Sequence, residues 1–385
     1  MFSPAPRERN VIIISLAFWL IFTGNLTIIG TSETILRAFK HRTGHAVNGF
    51  VTIGLSYAFS FMTTPFLPLL ISFIGNKWLL ILGGVFQTIF MKWSLESLLL
   101  FVIFSRSPLS RFSFIYPYPA LVYTTTALCG VGGCFLFVCG AAEVVKNSPP
   151  DKVDRNTGIW WLGFIAGAVF GNVYVFLVWR GKSGVSEHDQ IELALIMGTV
   201  SLLGTFLFAF IVDIESDRQE GETKEKSPLA IMKSAVNVLS LPNVQLMLPV
   251  MAFAGLELGY WQTVYPTCIG ATKHLGVDSN RLVGLCSIFT GLGDMSASLI
   301  LFTKDQHRKR GYFMAIVCTL ASLAFLLPML SLPPECTSVD SYNIGIITPS
   351  PTLLMISAFC LGLLDGTVNS QLYSLIGLAP LVFLV

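Results

Sequence analysis

The chain has 385 residues, of which 53% are hydrophobic and 12% are charged, and its formal net charge is +2. A soluble globular protein could not bury this much apolar surface, and the small, dispersed charge excludes a basic nucleic-acid-binding surface or a charged interaction tail. Composition and charge therefore indicate an integral membrane protein.

The basic residues lie in gaps between long apolar runs. Runs of about 20 residues can cross a bilayer core of roughly 30 Å as helices, because each residue adds about 1.5 Å. A region at 78–118 is harder to interpret and is taken as one further helix. The prediction is an all-α, polytopic membrane protein with about ten complete transmembrane helices. The nine clear runs are 11–30, 50–74, 119–142, 158–179, 191–212, 244–264, 282–303, 311–332 and 351–372.

The first run and the loop charges predict how the chain enters the membrane. No small-residue cleavage site follows the first run, so it is predicted to be a retained helix and not a signal peptide. Short, basic loops remain in the cytosol, and the strongest basic cluster follows the eighth predicted helix, 282–303, when the region at 78–118 is counted as the third. The N-terminus is therefore predicted to be cytosolic, and the sequence leaves the cellular membrane open. That cluster consists of Lys304, Arg308, Lys309 and Arg310.

A polar connector divides the chain into two halves. Residues 213–243 follow six predicted helices and carry mixed charges, as a solvated cytosolic segment does. The predicted division is an N-terminal six-helix half at 1–212, the cytosolic connector, and a C-terminal half at 244–385. Two helical halves joined in this way are typical of secondary transporters.

Four long segments carry a family resemblance. They resemble, in order, the fifth, seventh, eighth and tenth helices of the UNC-93-like (uncoordinated-ninety-three-like) family of the major facilitator superfamily. The resemblance extends from about residue 10 to residue 377 and implies a major-facilitator-like bundle of two halves. The segments are TGIWWLGFIAGAVFGNVYVFLVWRGK (157–182), AGLELGYWQTVYPTCIGATKHLG (254–276), GLCSIFTGLGD (284–294) and FCLGLLDGTVNSQLYSLIG (359–377).

The chain departs from the family pattern in two places. Residues 92–114 have no counterpart and fall within the third helix. Their apolar centre, 98–104, is too short to span a bilayer, and four charged residues around it are costly in hydrocarbon, so a loop or interfacial segment is expected. The resemblance implies twelve helices, so the C-terminal half is expected to be truncated, with the last two helices largely missing. A splice or gene-model artefact is the alternative explanation for both departures.

Three carboxylic acids are the candidate proton-binding or substrate-binding residues. Glu257, Asp294 and Asp365 lie within otherwise apolar helices of the second half. A carboxylate in hydrocarbon must be protonated, be paired or face a wet cavity, and the first and third conditions suit proton coupling. The alternative is that each is neutral and bonded to a neighbouring helix, or lies near the membrane edge. Asn25 lies too deep in the first helix to be glycosylated and is kept as a candidate cavity residue.

Small residues and cysteines give two further predictions. Gly163, Gly167 and Gly171 form a stripe on the fifth helix that would allow another helix backbone to approach closely. Cys268 and Cys336 are predicted on the same, non-cytosolic side, so a disulfide between them is possible. The histidines lie in loops and form no pattern with cysteines or carboxylates, so we predict no metal site, no cofactor and no enzyme activity.

Two functions remain open at the level of sequence. One is a proton-coupled secondary transporter of an unknown small solute, driven by protonation of the three carboxylates. The other is a non-transporting subunit that regulates an ion channel or escorts a receptor, as the resemblance implies for some family members. The partners are therefore the lipid bilayer and either a small solute or another membrane protein, and not nucleic acid.

Overall fold

The structure is a computed structural model of the whole chain. It describes residues 6–43, 48–105, 118–179, 186–212, 237, 240–276, 279–302 and 310–382. Its α-helices are α1 (Pro6–Thr43), α2 (Gly49–Thr63), α3 (Leu67–Ile74), α4 (Asn76–Ser105), α5 (Tyr118–Lys146), α6 (Val153–Val178), α7 (Glu187–Leu207), α8 (Pro242–Gly259), α9 (Tyr265–Ala271), α10 (Ser279–Phe302), α11 (Arg310–Ser331) and α12 (Pro351–Val382).

Two pairs of helices each form one continuous segment. A 3₁₀ turn at Thr64–Phe66 joins α2 to α3, and a π-helical turn at Tyr260–Val264 joins α8 to α9. A proline lies at the start of each following helix, where its missing N–H interrupts regular hydrogen bonding. The described helices therefore make ten segments, as predicted, and eight of the described segments are long and apolar enough to cross a membrane.

The segment at 92–114, for which a loop or interfacial segment is expected, is helical in its first part and not a loop there. Helix α4 continues through residue 92 and ends at Ser105. The segment from 92 to 105 contains neither Gly nor Pro and is rich in Leu, which favours helix continuation. Residues 106–114 lie outside the described residues. Most of the predicted connector at 213–243 also lies outside them, namely 213–236 and 238–239.

A buried aromatic cluster holds the N-terminal helices α1, α5 and α6 together. The ring centroids of Phe18 and Trp160 are 5.2 Å apart, and those of Phe22 and Phe164 are 4.7 Å apart, both in edge-to-face geometry. Trp160 also lies 5.2 Å from the ring of Tyr373 on α12. Aromatic pairs of this kind add about 0.5–1.5 kcal/mol to the stabilisation from burial. The cluster therefore also connects the N-terminal helices to the last described helix.

The glycine stripe of α6 lies against α1. A Cβ atom at position 167 would be 2.5 Å from the backbone N of Thr23, and one at position 163 would overlap the carbonyl of Ser15. At position 171 it would overlap the hydroxyl of Thr27. Only glycine allows the two backbones to approach this closely, so the stripe acts as a packing surface.

We expect Gly167→Leu to destabilise the protein, because the added side chain must push α1 away from α6. Overpacking of this kind costs about 1 to 3 kcal/mol. Thermal unfolding in detergent measures the effect, and Gly158→Leu on the same helix is the control, since a Cβ there meets no atom within 4 Å. Equal unfolding temperatures for the two variants would refute the packing role.

The loop between α11 and α12 closes over one end of the C-terminal helices. Lys273 forms a salt bridge of 3.0 Å with Asp340, and the backbone N of Ser341 donates to the carbonyl of Ala271. The backbone N–H of Glu335 and the side chains of Asn343 and Ser341 donate hydrogen bonds that hold the pKa of the Glu335 carboxyl below its usual range. The loop is therefore an ordered polar cap.

The candidate disulfide residues lie under this cap. Cys268 and Cys336 are buried in the same apolar cluster. Their burial among apolar side chains accounts for both residues as packing groups. The disulfide stays a prediction from sequence.

The predicted orientation can be tested at two matched sites. Tyr312 at the start of α11 is 79% exposed, and Tyr342 in the loop beyond its other end is 78% exposed. With a cytosolic N-terminus, an impermeant thiol reagent applied only to the cytosolic face should label Tyr312→Cys and spare Tyr342→Cys. The opposite pattern would reverse the topology.

Candidate functional site

The three predicted carboxyl groups lie together in the membrane-spanning part of the protein. Glu257 on α8 is 3% exposed, and Asp294 on α10 and Asp365 on α12 are both 0% exposed. Asp365 is the middle member, and both other carboxyl groups are close enough to share a hydrogen bond with it when one of the pair carries a proton. We call these three residues the carboxyl cluster.

Glycines on α10 and α12 allow this close approach. A Cβ at position 366 would overlap the carboxyl group of Asp294, and a Cβ at position 293 would overlap the carbonyl of Phe359. Any larger residue at these positions would push the two helices apart. The sequence therefore places glycine where Asp294 must come close to α12.

Two neutral side chains donate hydrogen bonds to the carboxyl cluster. The Trp161 indole donates from Nε1 to Asp294 Oδ1 over 3.1 Å, and the Asn369 amide donates from Nδ2 to Asp365 Oδ1 over 2.7 Å. The Trp161 bond joins α6 to α10 and so crosses from the N-terminal to the C-terminal helices. No basic side chain among the described residues contacts the cluster.

One oxygen of each carboxyl group is buried without a hydrogen-bond partner. Three ionised carboxylates packed together without a counter-charge would be very costly. A protonated carboxyl group can donate a hydrogen bond, whereas an ionised one can only accept. Protons shared within the cluster would therefore satisfy these oxygens and remove most of the charge.

A cavity of about 280 Å³ lies beside the carboxyl cluster. It is lined by helices α1, α2, α4, α5 and α6 on one side, and by α8, α12 and the π-helical turn on the other. Trp161 and Asn369 both line the cavity, although the three carboxyl groups do not. These two side chains therefore form the direct physical link between the cavity and the carboxyl cluster.

Amide and hydroxyl groups provide the polar wall of the cavity. Asn25 donates from Nδ2 to Gln87 Oε1 over 2.6 Å, and Gln87 donates from Nε2 to the carbonyl of Cys129 over 3.1 Å. Across the cavity, the Tyr57 hydroxyl donates to Gln262 Oε1 over 2.8 Å. The Tyr57–Gln262 bond is a second polar contact between the N-terminal and C-terminal helices.

A hydroxyl stripe runs along α2 and the 3₁₀ turn after it. Its members recur every four residues, which places them on one helical face. That face lines the cavity, while large apolar residues such as Phe61 and Met62 on other faces are 78% and 62% exposed. The segment is therefore polar toward the cavity and apolar on its outer surface. The stripe consists of Thr52, Ser56, Ser60 and Thr64.

The structure brings some predicted site residues together and separates others. The carboxyl cluster unites Glu257, Asp294 and Asp365, and Asn25 lies on the cavity wall. The glycine stripe lies at the contact between α6 and α1, and the two cysteines lie under the loop cap.

Sequence reasoning missed most of the cavity wall. Trp161, Gln87, Tyr57 and Gln262 carry no motif that distinguishes them from ordinary membrane-helix residues. The hydroxyl stripe has a visible four-residue spacing, but buried Ser and Thr often bond their own helix backbone, as Thr64 does to the carbonyl of Ser60. Only the three-dimensional structure shows that these hydroxyl groups line a cavity in addition to bonding their own backbone.

Glu143 in the last turn of α5 lies outside the cavity and has a structural role. Its side chain is buried and accepts hydrogen bonds from Asn76 over 3.0 Å and from Asn147 over 3.2 Å. Asn76 starts α4 directly after Gly75, whose φ of 83° is in the left-handed region. Glu143 therefore fixes the turn between α3 and α4.

One group of possible metal ligands occurs among the described residues. Donor atoms of His188, Asp189 and Glu192 lie within 4.8 Å of one another at the start of α7. Asp189, however, accepts hydrogen bonds from the backbone N and the hydroxyl of Ser186, at 3.1 and 2.6 Å, in a capping box. Helix capping accounts for this group, so we assign no metal to it.

Comparison with known proteins identifies the family. The family described as "Ion channel regulatory protein UNC-93" matches residues 42–380, which is most of the chain. The chain belongs to the UNC-93 family. The predicted family is thereby confirmed, and the protein is a multi-pass membrane protein with an all-helical fold.

Two individual relatives agree with the UNC-93 assignment. UNC93-like protein MFSD11 from Xenopus laevis is 26% identical over 397 residues, and the match covers 97% of this chain and 84% of that protein. The protein of the same name from Xenopus tropicalis gives the same identity and coverage. A crystal structure of the Major Facilitator Superfamily transporter FucP in the outward conformation matches with a TM-score of 0.48 and 13% identity, over 96% of each chain.

Proposed function

We propose that this UNC-93 family member is a proton-coupled secondary transporter of a small solute. In this proposal the solute binds in the central cavity, and the carboxyl cluster binds the proton. The observation that carries the proposal is the pair of hydrogen bonds from Trp161 and Asn369, two cavity-lining residues, to Asp294 and Asp365. A change of charge in the cluster would be felt directly at the cavity wall.

The Trp161–Asp294 hydrogen bond offers a route for coupling. An ionised Asp294 accepts this bond more strongly than a neutral one, because charge-assisted hydrogen bonds are roughly twice as strong. Gain of a proton would therefore weaken one link between α6 and α10. Rearrangement of the N-terminal helices against the C-terminal helices would then open the cavity to one side at a time.

A second function is favoured by the family's own description. The matching family is named for an ion channel regulatory protein, so a non-transporting role beside a channel or receptor is the alternative. A transporter-like fold does not by itself imply transport. Under this alternative the carboxyl cluster would stabilise or switch the protein without moving a solute, and neutralising one carboxyl group would leave partner binding intact.

We expect Glu257→Gln to abolish proton-driven uptake, because glutamine keeps the size and hydrogen bonding of the side chain but cannot ionise. Proteoliposomes with an inward proton gradient would be supplied with a deproteinised cell extract, and the accumulated solutes identified by mass spectrometry. At least one solute should accumulate with the wild type, and a protonophore should prevent it. Glu192→Gln is the matched control, since the Glu192 side chain is 44% exposed and remote from the cluster.

Two results would contradict this account. Uptake by Glu257→Gln with unaltered pH dependence would make Glu257 structural and leave Asp294 and Asp365 as the residues to test. If the wild type accumulates no solute but co-purifies with a channel or receptor, and Glu257→Gln retains that partner, the regulatory function is supported.

A further inference from the structure

The central cavity carries no formal charge on its wall. Among the described residues that line it, none is Asp, Glu, Lys, Arg or His. An anionic solute would lose its hydration without gaining a basic partner, which is costly away from bulk water. A cationic solute would find the three carboxyl groups behind Trp161 and Asn369 and not on the wall. The wall therefore favours a solute that is itself uncharged.

Unused amide atoms surround the cavity. Asn25 uses its Nδ2 and Asn369 uses its Nδ2, while Gln262 accepts at Oε1. The other polar atom of each of these amides has no hydrogen-bond partner among the described residues. Whichever way each amide is turned, it offers one donor or acceptor to a ligand. Such groups match hydroxyls, which both donate and accept.

The hydroxyl stripe of α2 adds acceptors on the same wall. Thr52 and Thr64 donate their protons to backbone carbonyls in their own helix, over 2.7 and 2.9 Å. Thr64 Oγ1 also lies 3.5 Å from Cys134 Sγ, and each of the two hydroxyl oxygens keeps at least one lone pair for a ligand hydroxyl. The stripe thus adds acceptors at Thr52 and Thr64 to the amides.

Aromatic rings form the other part of the wall. Five of these rings come from α1, α5, α6 and α12 and pack against one another in edge-to-face and tilted pairs. A rigid aromatic wall favours the apolar C–H face of a ring-shaped solute over a flexible chain. The five rings are those of Phe22, Phe137, Phe164, Trp161 and Tyr373.

We propose that the cavity binds an uncharged, polyhydroxylated ring solute of about the size of a monosaccharide. Hydroxyls on the ring would contact the amides and the hydroxyl stripe, and its C–H face would lie on the aromatic wall. The volume of about 280 Å³ is just below the range of about 300–1,000 Å³ typical of sites for drug-sized ligands, which suits a small solute. This proposal rests on the proposed function in one respect, because it takes the central cavity as the solute site.

Binding to the purified protein tests the solute class. The probes are glucose and myo-inositol as neutral polyols, glucuronate as the matched anion, protonated glucosamine as the matched cation, and cyclohexanol as a ring with a single hydroxyl. Isothermal titration in lipid nanodiscs gives the affinity. At least one neutral polyol should bind roughly tenfold or more tightly than the charged probes and cyclohexanol, since each lost hydrogen bond or buried charge is costly.

Conservative variants locate the bound polyol. Gln262→Met and Thr52→Val should each weaken its binding several-fold, because each removes one of the polar groups argued to contact the ligand, at similar shape. Gln245→Leu is the control, since Gln245 is exposed on α8 and does not line the cavity. If one of the two cavity variants fails to fold, the other still tests the proposal. Equal affinity in all three variants would place the polyol outside the cavity and overturn the proposal.

The outcomes separate this proposal from the proposed function. If only glucuronate or glucosamine binds, or no probe binds at millimolar concentration, the solute class is wrong. Proton-driven uptake of a charged solute would likewise refute the class but retain the transporter. Polyol binding that is lost in Gln262→Met, without proton-driven uptake, would retain the class and refute transport.

Discussion

The burial of three carboxyl groups among apolar helices is the constraint on which the rest of the structure depends. Glu257, Asp294 and Asp365 come from three different helices and meet where no described basic residue can neutralise them. Such a group is stable only if it holds protons and if its neighbours supply hydrogen bonds. The protein satisfies the second condition with Trp161 and Asn369, which also line the cavity.

Close helix packing makes this arrangement rigid. Glycines at 293 and 366 bring α10 against α12, and the glycine stripe brings α6 against α1. Because α6 contacts both α1 and α10, the position of Trp161 is set by packing on two sides. A carboxyl group bonded to Trp161 is therefore connected to both sets of helices. That connection makes the carboxyl cluster more suited to coupling than an isolated buried acid would be.

The sequence predicted the class of fold and the identity of the unusual residues. Apolar run lengths sufficed for ten helical segments, and each carboxylic acid stood out because ionisable residues are rare in hydrocarbon. Convergence of the three acids was beyond the sequence, since it depends on the rotation of α8, α10 and α12 about their axes. The sequence also does not show which indole of the pair Trp160 and Trp161 faces α10. Adjacent residues point about 100° apart around the helix axis, so the answer depends on the rotation of α6. The continuation of α4 to Ser105 is hard to predict, because charged residues at 92 and 96 disfavour hydrocarbon while the absence of Gly and Pro favours a helix.

Infrared difference spectroscopy of the protein in lipid tests the central claim most directly. The carbonyl stretch of a protonated carboxyl group is distinct from that of an ionised one. The account predicts a protonated-carboxyl band at neutral pH. The band should persist in D₂O, because a buried carboxyl group is shielded from exchange with solvent. Asp365→Asn should alter the band, whereas Asp340→Asn in the exposed loop should not. A spectrum without such a band, or a band that both variants leave unchanged, would contradict the claim that the carboxyl cluster holds a proton.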